Sequence, residues 1–443
     1  MSRVEDRLRL AGMSEEGARS RAAMFARVEA ALRDRGIEPS SRFHVPGRIE
    51  VLGKHTDYAG GRSLLAAVER GFCVAFAPRR DGRVRILDVG RSDEIALSLD
   101  PAERPLSPHW AIYPAAVTRR LARDFEGPLL GADIALLSDL PPSSGLSSSS
   151  ALLIATFEAL RASNRLEARE DFARALPGVL DVAAYLGSVE SGRPFRGFGG
   201  EAGVGTAGGS QDHTAILASE AGRLCRFGFA PVRAEGSVSL PKEVTFVVAV
   251  SGVVAQKTAG AREAYNRAAA LSSAILGEWC AMSGRDDRTL FEAVTSSPDA
   301  HLRLREALGS SSGAFEASAL QARLEQFVDE SLILIPAAFD ALGAGDLEAF
   351  GRAVDRSQRG AEAGLANQVK ETVSLQRLAR SLGAYAASAF GAGFGGSVWS
   401  LVSRDQAAAF MAEWELEYRR GHEHPGSVFF RTDAGPPLLH LSD

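Results

Sequence analysis

The 443-residue chain holds three cysteines, Cys73, Cys225 and Cys280. So sparse, odd-numbered and widely spaced a set argues against a disulfide frame or a thiolate zinc site and fits a reducing cytosol. No block of one charge sign stands out. The 50 Lys and Arg are balanced by 55 Asp and Glu, for a formal net charge of −5, which argues against nucleic acid or an anionic membrane as partner. Apolar runs such as Val244–Val250 and Ala151–Thr156 are far too short to cross a bilayer. The first ten residues are dense in charge and lack the apolar stretch of a signal peptide, so a cytoplasmic location is expected. His422 and His424 have no cysteine or third histidine near them in sequence and read as surface residues. No internal repeat is visible. What is present, 45% hydrophobic and 24% charged residues, suits a globular chain of two or three domains with an ample core.

Helical spacing of Ala23, Phe25, Val28 and Leu32 predicts an amphipathic helix over 14–35. Further helices are expected over 110–125, 152–162, 172–189, 258–282, 321–342, 346–359, 370–382 and 405–420. The second of these is apolar almost all round and should be buried. Strands are expected over 83–89, 95–99, 132–137, 244–250, 397–402 and 427–431. Residues 194–209 and 390–396 are glycine-rich loops. Helices interleave with isolated strands without a strict βαβ rhythm, so the expected class is α+β. A boundary near Arg233–Ser239 would divide the chain into 1–235 and 236–443.

Residues 44–61 read H-V-P-G-R-I-E-V-L-G-K-H-T-D-Y-A-G-G. Arg48, Lys54, His55 and Asp57 lie between paired glycines, with short apolar residues joining the two halves. A strand feeding a tight polar turn would gather these side chains on one surface. That surface suits a small polyhydroxylated molecule, whose hydroxyls each donate and accept. A second constellation, Leu140-Pro-Pro-Ser-Ser-Gly-Leu-Ser-Ser-Ser-Ser-Ala151, runs into an apolar helix. Glycine and the unpaired N–H groups of a helix start would serve a phosphate; the other reading is a serine-rich linker with a good N-cap. A third stretch, Gly208-Gly209-Ser210-Gln211-Asp212-His213, offers a carboxylate. Asp212 either caps a helix beginning at His213 or acts as a general base. Gly203–Gly208 and Gly391–Gly396 match G-x-G-x-x-G, but neither follows a strand and opens a helix, so neither is a dinucleotide site.

Together these motifs resemble the galactokinases of the GHMP kinase superfamily. The first resembles P-G-R-x-N-L-I-G-E-H-T-D-Y-x-x-G, keeping Pro46, Gly47, Arg48, Gly53, His55, Thr56, Asp57 and Tyr58 but carrying Glu50 for Asn and Lys54 for Glu. The second resembles P-x-G-x-G-L-S-S-S-A, with Ser143 and Ser144 replacing glycines. The third resembles C-G-x-x-D-Q. Phe390–Ser397 resembles T-G-x-G-F-G-G-C, with Phe390 for threonine and Ser397 for cysteine. The matches run in the family's order over nearly the whole chain.

The resemblance implies a two-domain GHMP kinase fold. Its N-terminal domain would be like ribosomal protein S5 domain 2 and its C-terminal domain ferredoxin-like, with the site in the cleft between them. It implies ATP and Mg²⁺ as cofactors and a sugar as substrate, phosphorylated at the anomeric hydroxyl. Asp212 would be the base and Arg48 the charge stabiliser. His55, Asp57, Gly209 and Tyr265 would contact sugar. Gly145, Ser147 and Ser148 would hold the ATP phosphates, and Trp110, in W-x-x-Y, would lie by the adenine or serve as a core aromatic. Ser149 and Glu190 would ligate Mg²⁺. Lys257 stands where the family often has arginine. The chain itself would be a monomer or weak homo-oligomer. A catalytically silent sugar- and ATP-binding regulator on the same scaffold is the alternative.

Lys54 raises a question of substrate. Lysine cannot accept a hydrogen bond from a sugar hydroxyl as the family's glutamate does. Either Lys54 meets an anionic group, pointing to a uronic acid such as galacturonate, or it pairs internally with Glu50 or points outward and leaves galactose as substrate.

Overall fold

The computed structural model describes residues 3–100, 109–125, 127–142, 144–253, 259–310 and 313–441. Ser143 and Lys257 lie outside them. Strands β1 (Ser41–Leu52), β2 (Arg62–Arg79), β3 (Arg83–Asp88), β4 (Asp93–Ser98), β5 (Gly131–Ser138), β6 (Arg223–Gly228) and β7 (Arg233–Ser239) build a first sheet. A second, antiparallel sheet consists of β8 (Val244–Val250), β9 (Ala386–Phe390), β10 (Ser397–Ser403) and β11 (Val428–Thr432), in the order β11-β8-β10-β9. The last strand, β12 (Leu439–His440), returns to the first sheet and pairs antiparallel with β1, giving the order β12-β1-β2-β5-β3-β4, with β6 and β7 reached through β2.

β2 is the spine of the first sheet. One edge of it pairs with β1, and its two ends pair with β6 and β5 on the other. Its residues are buried almost without interruption. A strand covered on both faces loses the apolar–polar alternation that marks a half-exposed one, so no strand is legible over 62–79 in the sequence. On one face lie the helices Ile112–Asp124 and Ser148–Asn164, which share a core with Val45, Ile49 and Val74. On the other, Phe25 and Val28 of the helix Glu15–Arg33 meet Cys73, Ala75 and Leu137. Trp399 and Phe246 of the second sheet join the first of these cores, so apolar packing is continuous between the two sheets.

Two expected helices are divided. Residues 172–189 form Glu170–Ala175 and Val179–Ser191, separated at Leu176-Pro177-Gly178. Proline lacks the N–H a helix needs and disfavours the helical conformation of the residue before it. Residues 321–342 form Ala317–Val328 and Ile335–Gly343, joined by a π-helical turn at Asp329–Leu334. Arg233–Ser239, the expected boundary, is strand β7 paired with β6. No helix among the described residues is long and apolar enough to cross a membrane.

Candidate active site

β1 carries Arg48 just after a register shift between Pro46 and Arg48. Irregularities of this kind re-aim side chains beside functional sites. The guanidinium reaches Asp212, 164 residues away in sequence, with Nε 2.8 Å and Nη2 2.6 Å from Oδ1. Arg48 also donates to the carbonyl of Gly145, and the Ser147 hydroxyl donates to Oδ2 of Asp212. The ring of Phe390 covers the guanidinium, its centroid 5.9 Å from Cζ.

Asp212 sits in the first turn of the helix Gln211–Ala218, behind Ser210 at the N-cap. It is therefore not a cap, and the helix dipole favours its negative charge. Burial pushes its carboxyl up, but the Arg48 cation and the Ser147 hydroxyl outweigh that effect and hold it below the usual carboxylate range.

Ser147 adopts a left-handed conformation (φ 61°) and hands the chain to the helix Ser148–Asn164. The start of that helix borders a cavity of about 960 Å³. Gly145, Ser147, Ser148 and Ser149 line it, as do Glu190, Asp212 and Gly391–Gly396. Ser397 donates to the Ser144 carbonyl at 2.5 Å, tying the Phe390–Ser397 motif to the segment that leads into Ser147. Ser149 reaches the cavity wall, but the hydroxyl that meets Glu190 is that of Ser150, 2.9 Å from Oε2. Ser150 is the fourth serine of a run in which the family pattern has three. The imidazole of His213 stands 3.1 Å from the same oxygen.

At one end, Trp110 lines the cavity with Tyr113, Phe72 and Arg91. Its indole N–H donates to Asp93 at 2.8 Å, which fixes the ring against β4. At the other end are Asp57, His55 and Tyr265. Oδ2 of Asp57 accepts from the N–H of Gln211 at 3.1 Å. A Cβ on Gly209 would stand 2.4 Å from that oxygen, so only glycine allows the approach. Burial raises the Asp57 pKa. His55 is left-handed (φ 57°), and its ring contacts Tyr265 at a centroid distance of 5.0 Å. Its Nε2 lies 3.1 Å from the Ala392 carbonyl and its Nδ1 2.9 Å from the Tyr58 hydroxyl. A carbonyl can only accept, so Nε2 carries the proton and Nδ1 accepts from Tyr58. Burial, aided by Arg323, lowers the His55 pKa to about 4, so the ring is neutral.

Lys54 corrects the expectation that placed it against substrate. It is 1% exposed and is not among the residues lining the cavity. Its ammonium donates to Ser357 at 2.9 Å, and Ser357 donates to Glu330 at 2.9 Å. Glu330 also accepts from the N–H groups of Gly53 and Lys54, at 2.7 and 3.3 Å. Arg323 donates to the His55 carbonyl and Gln326 to that of Lys54. These clamps on residues 53–55 come from helices whose sequence shows only amphipathic spacing, and no local motif marks them. Glu50 does line the cavity. It accepts from the Gln211 amide at 2.5 Å, while its Oε1 is buried without a hydrogen-bond partner among the described residues. Burial raises its pKa to about 7, against the pull of Lys54 and Arg48.

Three family signatures match in order: the galactokinase galactose-binding signature over residues 35–78, the GHMP kinase N-terminal domain over 113–192 and the GHMP kinase C-terminal region over 338–420. A galactokinase of Chloroflexus aurantiacus is 31% identical over 395 residues, covering 85% of this chain and 87% of the relative. One of Roseiflexus sp. is 29% identical over 396 residues, covering 89% and 91%. The crystal structure of Lactococcus lactis galactokinase complexed with galactose superposes with a TM-score of 0.77 at 21% identity, covering 94% of this chain and 99% of that one. The fold is thus the α+β GHMP kinase fold. With signatures, full-length relatives and fold in agreement, the chain belongs to the galactokinase family of GHMP kinases and is an ATP-dependent sugar kinase.

Proposed function

We propose that the protein transfers the γ-phosphoryl group of ATP to the anomeric hydroxyl of galactose, a neutral hexose. The observation that carries this reading is the meeting of Arg48, Asp212 and Ser147 at the starts of two helices, beside a cavity of ligand size. Residues of both 1–235 and 236–443 line that cavity, which fits a cleft between two such domains.

Asp212 accepts a hydrogen bond from the anomeric hydroxyl. As that oxygen bonds to the γ-phosphorus, the bond from phosphorus to the bridging oxygen breaks and ADP leaves; the proton passes to Asp212. A carboxylate held at low pKa takes the proton late, once the oxygen already carries the phosphoryl group and has become acidic. Arg48 neutralises charge on the transferring group. Gly145, Ser147 and Ser148, with the helix N–H groups behind them, hold the phosphates. Trp110 flanks the adenine. Asp57, His55, Tyr265 and Gly209 contact the sugar, and the bare Gly209 leaves room for the Asp57 carboxylate beside it.

Glu190 with Ser150 and Ser149 forms a set of hard oxygens that fits Mg²⁺ and leaves positions for phosphate and water. When bound, that ion supplies charge neutralisation on the β- and γ-phosphates.

Charge favours galactose over a uronic acid. Glu50 and Asp57 line the cavity, Arg48 is committed to Asp212 and Lys54 is committed to Ser357. A sugar carboxylate would therefore meet the Glu50 and Asp57 carboxyls, with neither of those two cations turned toward it. The galactose-binding signature over residues 35–78 supports the same choice. The test is a panel of neutral hexoses and uronic acids with ATP and Mg²⁺, with the product read by phosphorus NMR. Galactose 1-phosphate is the expected product. Preferential consumption of galacturonate would overturn the assignment.

A further inference from the structure

We infer that Glu371, His422 and His424 form a binding site for one divalent transition-metal ion, best matched by Zn²⁺, on the face of the second sheet's helical layer and outside the kinase cavity. Ligand atoms of all three residues lie within 4.8 Å of one another. None of the three lines the cavity.

The local chain explains the convergence. The helix Ala407–Gly421 ends at His422, whose backbone is extended (φ −144°, ψ 117°). From there the chain turns at Glu423, with the N–H of His424 donating to the His422 carbonyl at 3.1 Å. Across that turn the two rings lie at an interplanar angle of 17° with centroids 6.3 Å apart, while Glu423 is exposed. His422 stacks on Tyr418 at 4.8 Å, and the Tyr418 hydroxyl is anchored on the Ser251 carbonyl at 2.7 Å. His424 packs on Gly252, where an added Cβ would stand 2.8 Å from its own. Glu371 comes from the first turn of the helix Lys370–Ser381, and its side chain is 8% exposed. Its Oε1 is 3.2 Å from His424 Nε2. The neighbouring cation, Lys370, lies 3.9 Å from the same carboxylate but is 83% exposed and free to swing away.

Two imidazoles and one carboxylate are the protein ligands of many zinc sites, which leave the fourth position to water. The same mixed nitrogen and oxygen set is a poor one for Mg²⁺, which takes oxygen ligands. The ligands arrive from separate segments already held in place, so little ordering remains for the ion to impose. Occupancy would fasten the turn 422–427 to the helix Lys370–Ser381.

Equilibrium dialysis of the tag-free, metal-stripped full chain against Zn²⁺, with excess Mg²⁺ to fill the hard-oxygen site, tests this. The expected result is one Zn²⁺ per chain. His422→Gln and Glu371→Gln should each weaken binding by at least about tenfold while keeping zinc-free kinase activity. Zinc should raise the Tm of the native chain and not that of His422→Gln. Cobalt(II) should give the visible bands of a low-coordinate site in the native chain and lose them in His422→Gln, a readout that does not depend on stability. Glu190→Gln should retain the zinc. Equal binding by the native chain and His422→Gln, or loss of the bound ion in Glu190→Gln, would overturn the proposal.

Discussion

Lys54 and Ser357, far apart in sequence, are joined by a 2.9 Å hydrogen bond that holds the lysine of the turn after β1 away from the cavity. The positive charge instead lies one hydroxyl away from the buried carboxylate of Glu330. Glu330 holds the backbone of the turn that carries His55 and Asp57, so the link is to positioning rather than to substrate charge.

Lys54→Met should therefore cost stability more than specificity. The loss of one charged hydrogen bond within a buried network is expected to destabilise the protein by about 1–3 kcal/mol, measurable by urea denaturation. The ratio of kcat/KM for galactose to that for galacturonate should not change. A ratio that moves strongly toward galactose in the variant would show that Lys54 meets substrate after all.

Asp212→Asn should lower kcat by about 10²- to 10⁴-fold, the usual contribution of a positioned general base, with ADP affinity retained. A thermal melt checks that leaving Arg48 without its anion has not unfolded the chain. Turnover close to native would remove Asp212 from the mechanism. Because its pKa lies below the ordinary value, its contribution to stability is present above that value. It is lost only as pH falls through the lower folded pKa.

Glu50 has the opposite sign. Its folded pKa is raised from 4.5 to about 7, so between those values the folded state holds a proton that the unfolded state has released. Stability should then fall as pH rises from about 4.5 to about 7. Glu50→Gln, which still accepts from Gln211, should flatten that part of the profile and stabilise the protein above pH 7 by at most roughly 3 kcal/mol. Chemical denaturation at stepped pH reads it; parallel curves for the two proteins would mean that Glu50 titrates normally.

Gly209→Ala tests the sugar end. The new Cβ would stand 2.4 Å from Oδ2 of Asp57, so the carboxylate must turn and lose its bond from Gln211. The KM for sugar should rise by about tenfold, the equivalent of one hydrogen bond, with the KM for ATP little changed. Isothermal titration with each ligand separates the two.

Arg48, Asp57 and Asp212 were legible because each sits in a local pattern that a sequence displays: a strand entering a polar turn, or a helix start behind paired glycines. The break at Pro177 was open to the same reasoning, since proline interrupts a helix whatever surrounds it. β2 was not, because a strand buried on both faces carries no period. Glu330, Arg323 and Ser357 were hidden for another reason. Each lies on a helix that reads as ordinary amphipathic structure, and its partner is a backbone group or side chain some 270 to 300 positions away. Ser150 was passed over because four adjacent hydroxyls look alike until a carboxylate selects one of them.

The pairing of β12 with β1 has a bearing on how the molecule is made. The strand that presents Arg48 stays open along one margin near Phe43 and His44 until Leu439 and His440 arrive to close it. During synthesis almost four hundred residues separate the two events. For that interval the nascent first sheet offers an unpaired edge, the kind of surface that holding chaperones shield.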